Sequence, residues 1–119
     1  MAYLNEESGA ETAESWLDQE AAISALCVQE TMANLVRNGI DRESAVELIG
    51  ALGLDIYPLD LDLAIEGGAL ITVTQSKGLS HGDRACLSLA RHLGLPAVTA
   101  DRIWAEIADD VGVDVVLIR

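Results

Sequence analysis

Apolar residues along the chain fall into alternating helical and strand-like patterns. Ser8-Gly-Ala-Glu11 has capping-box spacing, and Ala10, Ala13, Trp16 and Leu17 then share one helical face, which predicts a first helix to about Asp18. The apolar run Ala21 to Ser24 predicts a buried strand. A helix from about Val28 to Arg37 follows, striped by Val28, Met32, Leu35 and Val36 and ended by Gly39. Asp41 can cap the next helix, in which Ala45, Leu48, Ile49 and Leu52 recur at helical spacing before Gly53 stops it. Leu54 to Leu59 predicts a short strand. Leu61 to Lys77 predicts one long helix, weakened by Gly67-Gly68 and by Ile71 to Thr74. Ser80 opens a helix through His92 that Gly94 closes. Leu95 to Ala100 reads as a strand, Arg102 to about Ile107 as a short helix, and Val113 to Ile118 as a closing strand. Such alternation predicts an α/β fold with a mainly parallel sheet covered by helices on both faces.

Composition narrows the class. A chain of 119 residues, half of them apolar, is the size of one domain spanning 1–119 and is too hydrophobic to be disordered. No apolar stretch nears the roughly 18 residues that a membrane span needs, and the first residues lack a basic, then apolar, leader. The expectation is a soluble, cytoplasmic protein with no membrane partner. Cys27 and Cys86 offer neither a disulfide framework nor paired zinc-ligand spacing, so both read as small buried hydrophobes. Residues 1–66 carry 14 acids and 2 bases, and residues 67–119 carry 6 acids and 5 bases. A broad electrostatic grip on nucleic acid is excluded by that balance; such chemistry would need a local basic rim, bridging cations or a partner. The acidity equally suits docking to a basic partner.

Ligands of doubly wound sheets gather where strands end and helices begin. Glu30 comes shortly after the first predicted strand, Asp83 lies in the first turn of the Ser80 helix, and Asp101 directly follows the strand ending at Ala100. Carboxylates from separate elements suit a hard divalent cation such as Mg2+ or Mn2+. Each acid has an ordinary reading as well. Ser80 and Asp83 have capping-box spacing, Asp101 can cap the following helix, and Glu30 lies opposite the apolar stripe on a face it shares with Asn34 and Arg37. Cys86 with His81 or His92 lacks the third group that would make a nucleophile and base. Gly67-Gly68 and Gly78 form no phosphate loop. Trp104 reads as core, although an exposed indole could stack on a base.

The run Gly78-Leu-Ser-His-Gly-Asp-Arg-Ala-Cys-Leu-Ser-Leu-Ala90, with Leu95-Pro-Ala-Val-Thr-Ala-Asp-Arg-Ile-Trp104, resembles the second half of a PIN domain of the VapC toxin type. Upstream, Glu6-Glu-Ser-Gly-Ala-Glu11, Ile23-Ser-Ala-Leu with Glu30, and Val113 to Arg119 resemble that family's first helix, second strand with its acidic helix, and closing strand. The resemblance implies a three-layer α/β/α ribonuclease, usually dimeric and held inactive by a VapB-type antitoxin. Glu30, Asp83 and Asp101 would be three of its four metal-binding acids, for Mg2+ or Mn2+. Thr99 would orient the site, and Arg84 and Arg102 would contact RNA phosphates, with the ordinary reading of each arginine being a solvent-exposed surface charge. In the family, a first strand ending in Asp lies in the middle of the sheet and precedes the segment matched by residue 1. The expectation is therefore an N-terminally incomplete domain whose natural form extends upstream by that strand. The alternative is a catalytically degenerate module that binds an antitoxin-like partner or a second copy of itself, with an unrelated acidic small-molecule binder behind both.

Overall fold

The computed structural model describes residues 21–118, so the helix expected from Ser8 to Asp18 lies outside the described residues. The chain runs through β1 (Ala22–Ser24), α1 (Ala25–Arg37), α2 (Arg42–Ala51), β2 (Asp55–Tyr57), α3 (Leu61–Ala69), α4 (Ile71–Thr74) and a 3-10 turn at Gln75–Lys77. It continues through α5 (His81–Leu93), β3 (Ala97–Thr99), α6 (Ile103–Val111) and β4 (Val115–Leu117). Helix starts follow local chemistry. Ser24, Asp41, Asp60 and Ser80 each accept a hydrogen bond from a first-turn amide of α1, α2, α3 and α5, satisfying donors that a helix cannot pair internally. Gly94 ends α5 at φ 68°, a left-handed conformation that a side chain would resist.

The long helix expected from Leu61 to Lys77 is broken at Leu70. There the buried Thr74 hydroxyl donates to the Leu70 carbonyl at 2.9 Å, a back-bond that competes with regular helix geometry. Before the break, Gly67 lets α3 approach α5 closely: a Cβ at that position would lie 3.5 Å from the Arg84 carbonyl oxygen. Ser88 of α5 fastens the contact by donating to the Leu63 carbonyl at 3.0 Å.

All strands pair in parallel. β1 runs beside β2 with Ile23 opposite Ile56, and β3 runs beside β4 with Val98 opposite Val116. Instead of one continuous sheet, the described strands form two separate pairs, and α5 packs on both β1 and β3. The strands are three residues long, shorter than the apolar runs predicting them, because pairing ends where the partner turns away. The larger core joins Leu87, Ala97, Trp104, Ile107 and Val111 around α5, α6 and β3. A smaller core of Leu35, Ala45 and Ile49 lies between α1 and α2, and it is too small to cover Val36 and Leu48, which remain exposed.

Candidate active site

The amino end of α5 carries the chemistry. Asp83 N–H donates to Ser80 Oγ at 3.1 Å and Ser80 N–H donates to Asp83 Oδ2 at 3.0 Å, closing the capping box that the spacing predicted. Into the same turn comes Glu30, one helix away, whose Oε1 accepts the Gly82 N–H at 3.1 Å. A carboxylate there meets both an unpaired helix amide and the positive end of the helix dipole. The absent side chain of Gly82 makes the room, since a Cβ would overlap the Glu30 carboxylate. Glu30 is therefore half-buried against α5, which corrects its reading as a solvated face residue.

The neighbouring candidates are held differently. Arg84 is buried, and its guanidinium donates to the Leu79 carbonyl and to His81 Nδ1, both at 3.0 Å. The two bonds knit the loop before α5 to its first turn, an environment unlike the solvent-exposed one expected of this arginine. Thr99 Oγ1 accepts the Asp101 N–H, and Asp101 Oδ1 accepts the Ile103 N–H, each at 3.0 Å. Asp101 thus also holds the first amide of α6 from one residue before its N-cap, Arg102, which is exposed. Trp104 packs in the core as expected, with its Nε1 buried and unpartnered.

Two thiols sit beneath this turn. Cys27 lies one turn before Glu30 on α1, and Cys86 lies one turn after Asp83 on α5. The Cys27 thiol donates to the Gly82 carbonyl at 3.3 Å, one turn before Cys86 on α5. The neighbouring Cys86 side chain holds the Cys27 thiol below its ordinary pKa, against burial and the negative fields of Glu30 and Asp83. Cys86 is pushed well above its ordinary value by Cys27 and by burial. Both cysteines are half-buried, and Cys86 packs against the larger core as the small hydrophobe expected. Nothing local signals a pairing of residues so far apart in the chain.

The structure brings Glu30 and Asp83 together around Gly82, and it sets Thr99 and Asp101 between β3 and α6. Oxygen donors of this kind suit Mg2+ or Mn2+. Among the described residues, however, no three His, Cys, Asp or Glu side chains converge to hold a metal ion, so these acids alone do not complete a cation site. No helix among them is long and apolar enough to cross a membrane.

Comparison with protein families finds the PIN domain over residues 1–110, a nuclease-type fold whose enzymes usually use divalent metal ions. No curated protein and no solved structure matches the chain. The match extends over most of the chain and takes in the Glu30 helix, the Gly82 turn and the β3–α6 junction, and the α/β layout with parallel strands agrees with it: the chain belongs to the PIN domain family.

Proposed function

We propose that the chain is the body of a metal-dependent endoribonuclease of the VapC type, with Glu30, Asp83 and Asp101 as cation ligands. The observation that carries this reading is Glu30, which crosses from α1 to lodge its carboxylate at the amino end of α5 beside Asp83. A fourth acid comes, in this reading, from a further strand pairing between β1 and β3, which the resemblance places upstream of Met1. When bound, Mg2+ or Mn2+ supplies charge neutralisation at the scissile phosphate and activation of the attacking water. The chain's own groups do the positioning. Gly82 orients Glu30, the Ser80 capping box orients Asp83, and the Ile103 amide orients Asp101 beside Thr99. Exposed Arg102 is available to an RNA phosphate, offsetting the acidic surface; Arg84 contributes by fixing the turn. A net charge of −13 favours a basic antitoxin segment as partner, and the outward Leu61 and Ile65 of α3 offer apolar surface for a homodimer.

The test is RNA cleavage by the strand-extended protein in Mn2+, with Asp83→Asn and Asp101→Asn beside it. Cleavage that EDTA abolishes and that both variants lose, with unchanged circular dichroism, is expected. Undiminished cleavage by both variants would overturn the site. A second reading, a catalytically degenerate module that binds a partner, draws on the lack of a converged acid cluster among the described residues. Calorimetry distinguishes it: a folded, strand-extended protein that takes up no Mn2+ is that module.

A further inference from the structure

We propose that Cys27 and Cys86 form a reversible intramolecular disulfide, an oxidation site for hydrogen peroxide that clamps α1 to α5 directly beneath Glu30 and Asp83. The bond itself is independent of the nuclease reading; only its effect on cleavage rests on that reading. Three features point to it. The two helices pack together, and the Cys27 sulfur already reaches the first turn of α5, 3.3 Å from the Gly82 carbonyl oxygen and one turn before Cys86 on that helix. Cys27 is half-buried and belongs to neither core cluster, which leaves a small oxidant a route to it, while Cys86 packs behind it against the larger core. Each is one helical turn from an acid of the site, on the same helix face, so a change in helix spacing at the sulfurs is felt by the carboxylates.

The chemistry balances with peroxide as the sole oxidant. Cys27, the thiol held below its ordinary pKa, attacks one peroxide oxygen as thiolate; the O–O bond breaks and the sulfur becomes sulfenic acid as hydroxide leaves. Cys86 sulfur then attacks the Cys27 sulfur, the S–O bond breaks, and the departing hydroxide takes the Cys86 proton as water. Two thiols and one peroxide give one disulfide and two waters. In forming it, Cys27 gives up its hydrogen bond to the Gly82 carbonyl, the residue whose amide holds Glu30. The oxidised protein therefore repositions the turn that carries Glu30 and Asp83, and a thiol reductant restores it.

The experiment treats the full chain with hydrogen peroxide, blocks free thiols by alkylation, and reads the protein by non-reducing electrophoresis and peptide mass spectrometry. Expected is a monomer two hydrogens lighter, with the Cys27 and Cys86 peptides cross-linked and both thiols recovered by dithiothreitol. Cys86→Ser should leave Cys27 as sulfenic acid that dimedone captures, and Cys27→Ser should prevent cross-linking. Cys86→Ala repeats the trapping if the serine variant unfolds. Intermolecular cross-links alone, or Cys27 carried on to sulfinic acid while Cys86 still alkylates, would overturn the proposal. In the strand-extended protein, oxidation should lower Mn2+-dependent cleavage at least tenfold, reversibly, and not in Cys27→Ser. Loss of that effect with the cross-link intact counts against the nuclease reading, not against the disulfide.

Discussion

Replacing Gly82 by alanine tests whether the contact between α1 and α5 is the hinge of the site. In an ordinary helix position, glycine to alanine stabilises by up to about 1 kcal/mol. Here the added Cβ would fall on the Glu30 carboxylate, the far end of a flexible side chain, so the helix stays and the carboxylate leaves. What is lost is a charge-assisted bond from the Gly82 amide, worth about 1.5–3 kcal/mol, with the favourable position on the helix dipole. Offset by the propensity gain, Gly82→Ala should destabilise by about 1–2 kcal/mol, a melting shift of about 4–8 °C for a domain of this size. With Glu30→Ala already present there is no carboxylate to displace, and the same substitution should be neutral or stabilising. Urea unfolding of wild type, both single variants and the double variant gives the coupling directly, expected near 2 kcal/mol. Equal effects of Gly82→Ala in the two backgrounds, within about 0.5 kcal/mol, would refute the reasoning.

Asp41 is held below its ordinary value of 3.8 by the Ser44 hydroxyl and then the Ser44 amide; its contribution to stability is full above that value and disappears as pH falls through the depressed one. The stability gap between wild type and Asp41→Ala should therefore be constant near neutrality and close below about pH 4, as urea midpoints across pH will report. Arg84→Met removes the donors to the Leu79 carbonyl and His81 and should cost roughly 1–3 kcal/mol, with Arg84→Lys a poor rescue because one ammonium cannot reproduce the fork. Ile65→Glu and Leu61→Glu should turn a dimer into a monomer by sedimentation; unchanged association would assign the dimer to another face. Amide exchange at Ala22 and Val98 should be slower in the strand-extended protein than in the 119-residue chain; equal rates in the two would refute the inserted strand.

What the sequence made legible was local. Asp41 and the Ser80–Asp83 box cap their helices because a cap needs only residues within one turn. Gly94 closes α5 for a similarly local reason. The weakness of the Leu61 to Lys77 helix was legible in Gly67-Gly68 and Ile71 to Thr74, but not its break at Leu70, which depends on a buried Thr74 hydroxyl turned back on the chain. Strand lengths were overestimated because an apolar run says nothing of where its neighbour ends. Of the candidate site, the three acids are proposed from resemblance, and the engagement of Glu30 with Gly82 spans 52 positions and leaves no periodic trace. Arg84 was read as a surface charge; two acceptors on its own turn, Leu79 carbonyl and His81, are what permit its burial.

Among the described residues, the divided sheet and the incomplete acid cluster are one question. The Asp55 amide bonds to the Ala21 carbonyl, while the Ala97 amide bonds to the Asp114 carbonyl and the Ile118 amide to the Thr99 carbonyl. Peptide groups alternate sides along a strand, so Ala22 of β1 and Val98 of β3 direct theirs away from β2 and β4. Both strands lie under α5, where a peptide group without a partner costs about 1–3 kcal/mol. A strand parallel to both would pair these edges, and its carboxyl end would emerge between the start of α1, which leads to Glu30, and Thr99, which leads to Asp101. An acid at that end would stand among the other three. In the proposed reading the same insertion would satisfy the backbone and bring a fourth acid to Glu30, Asp83 and Asp101, so pairing of the sheet and metal affinity should be gained or lost together.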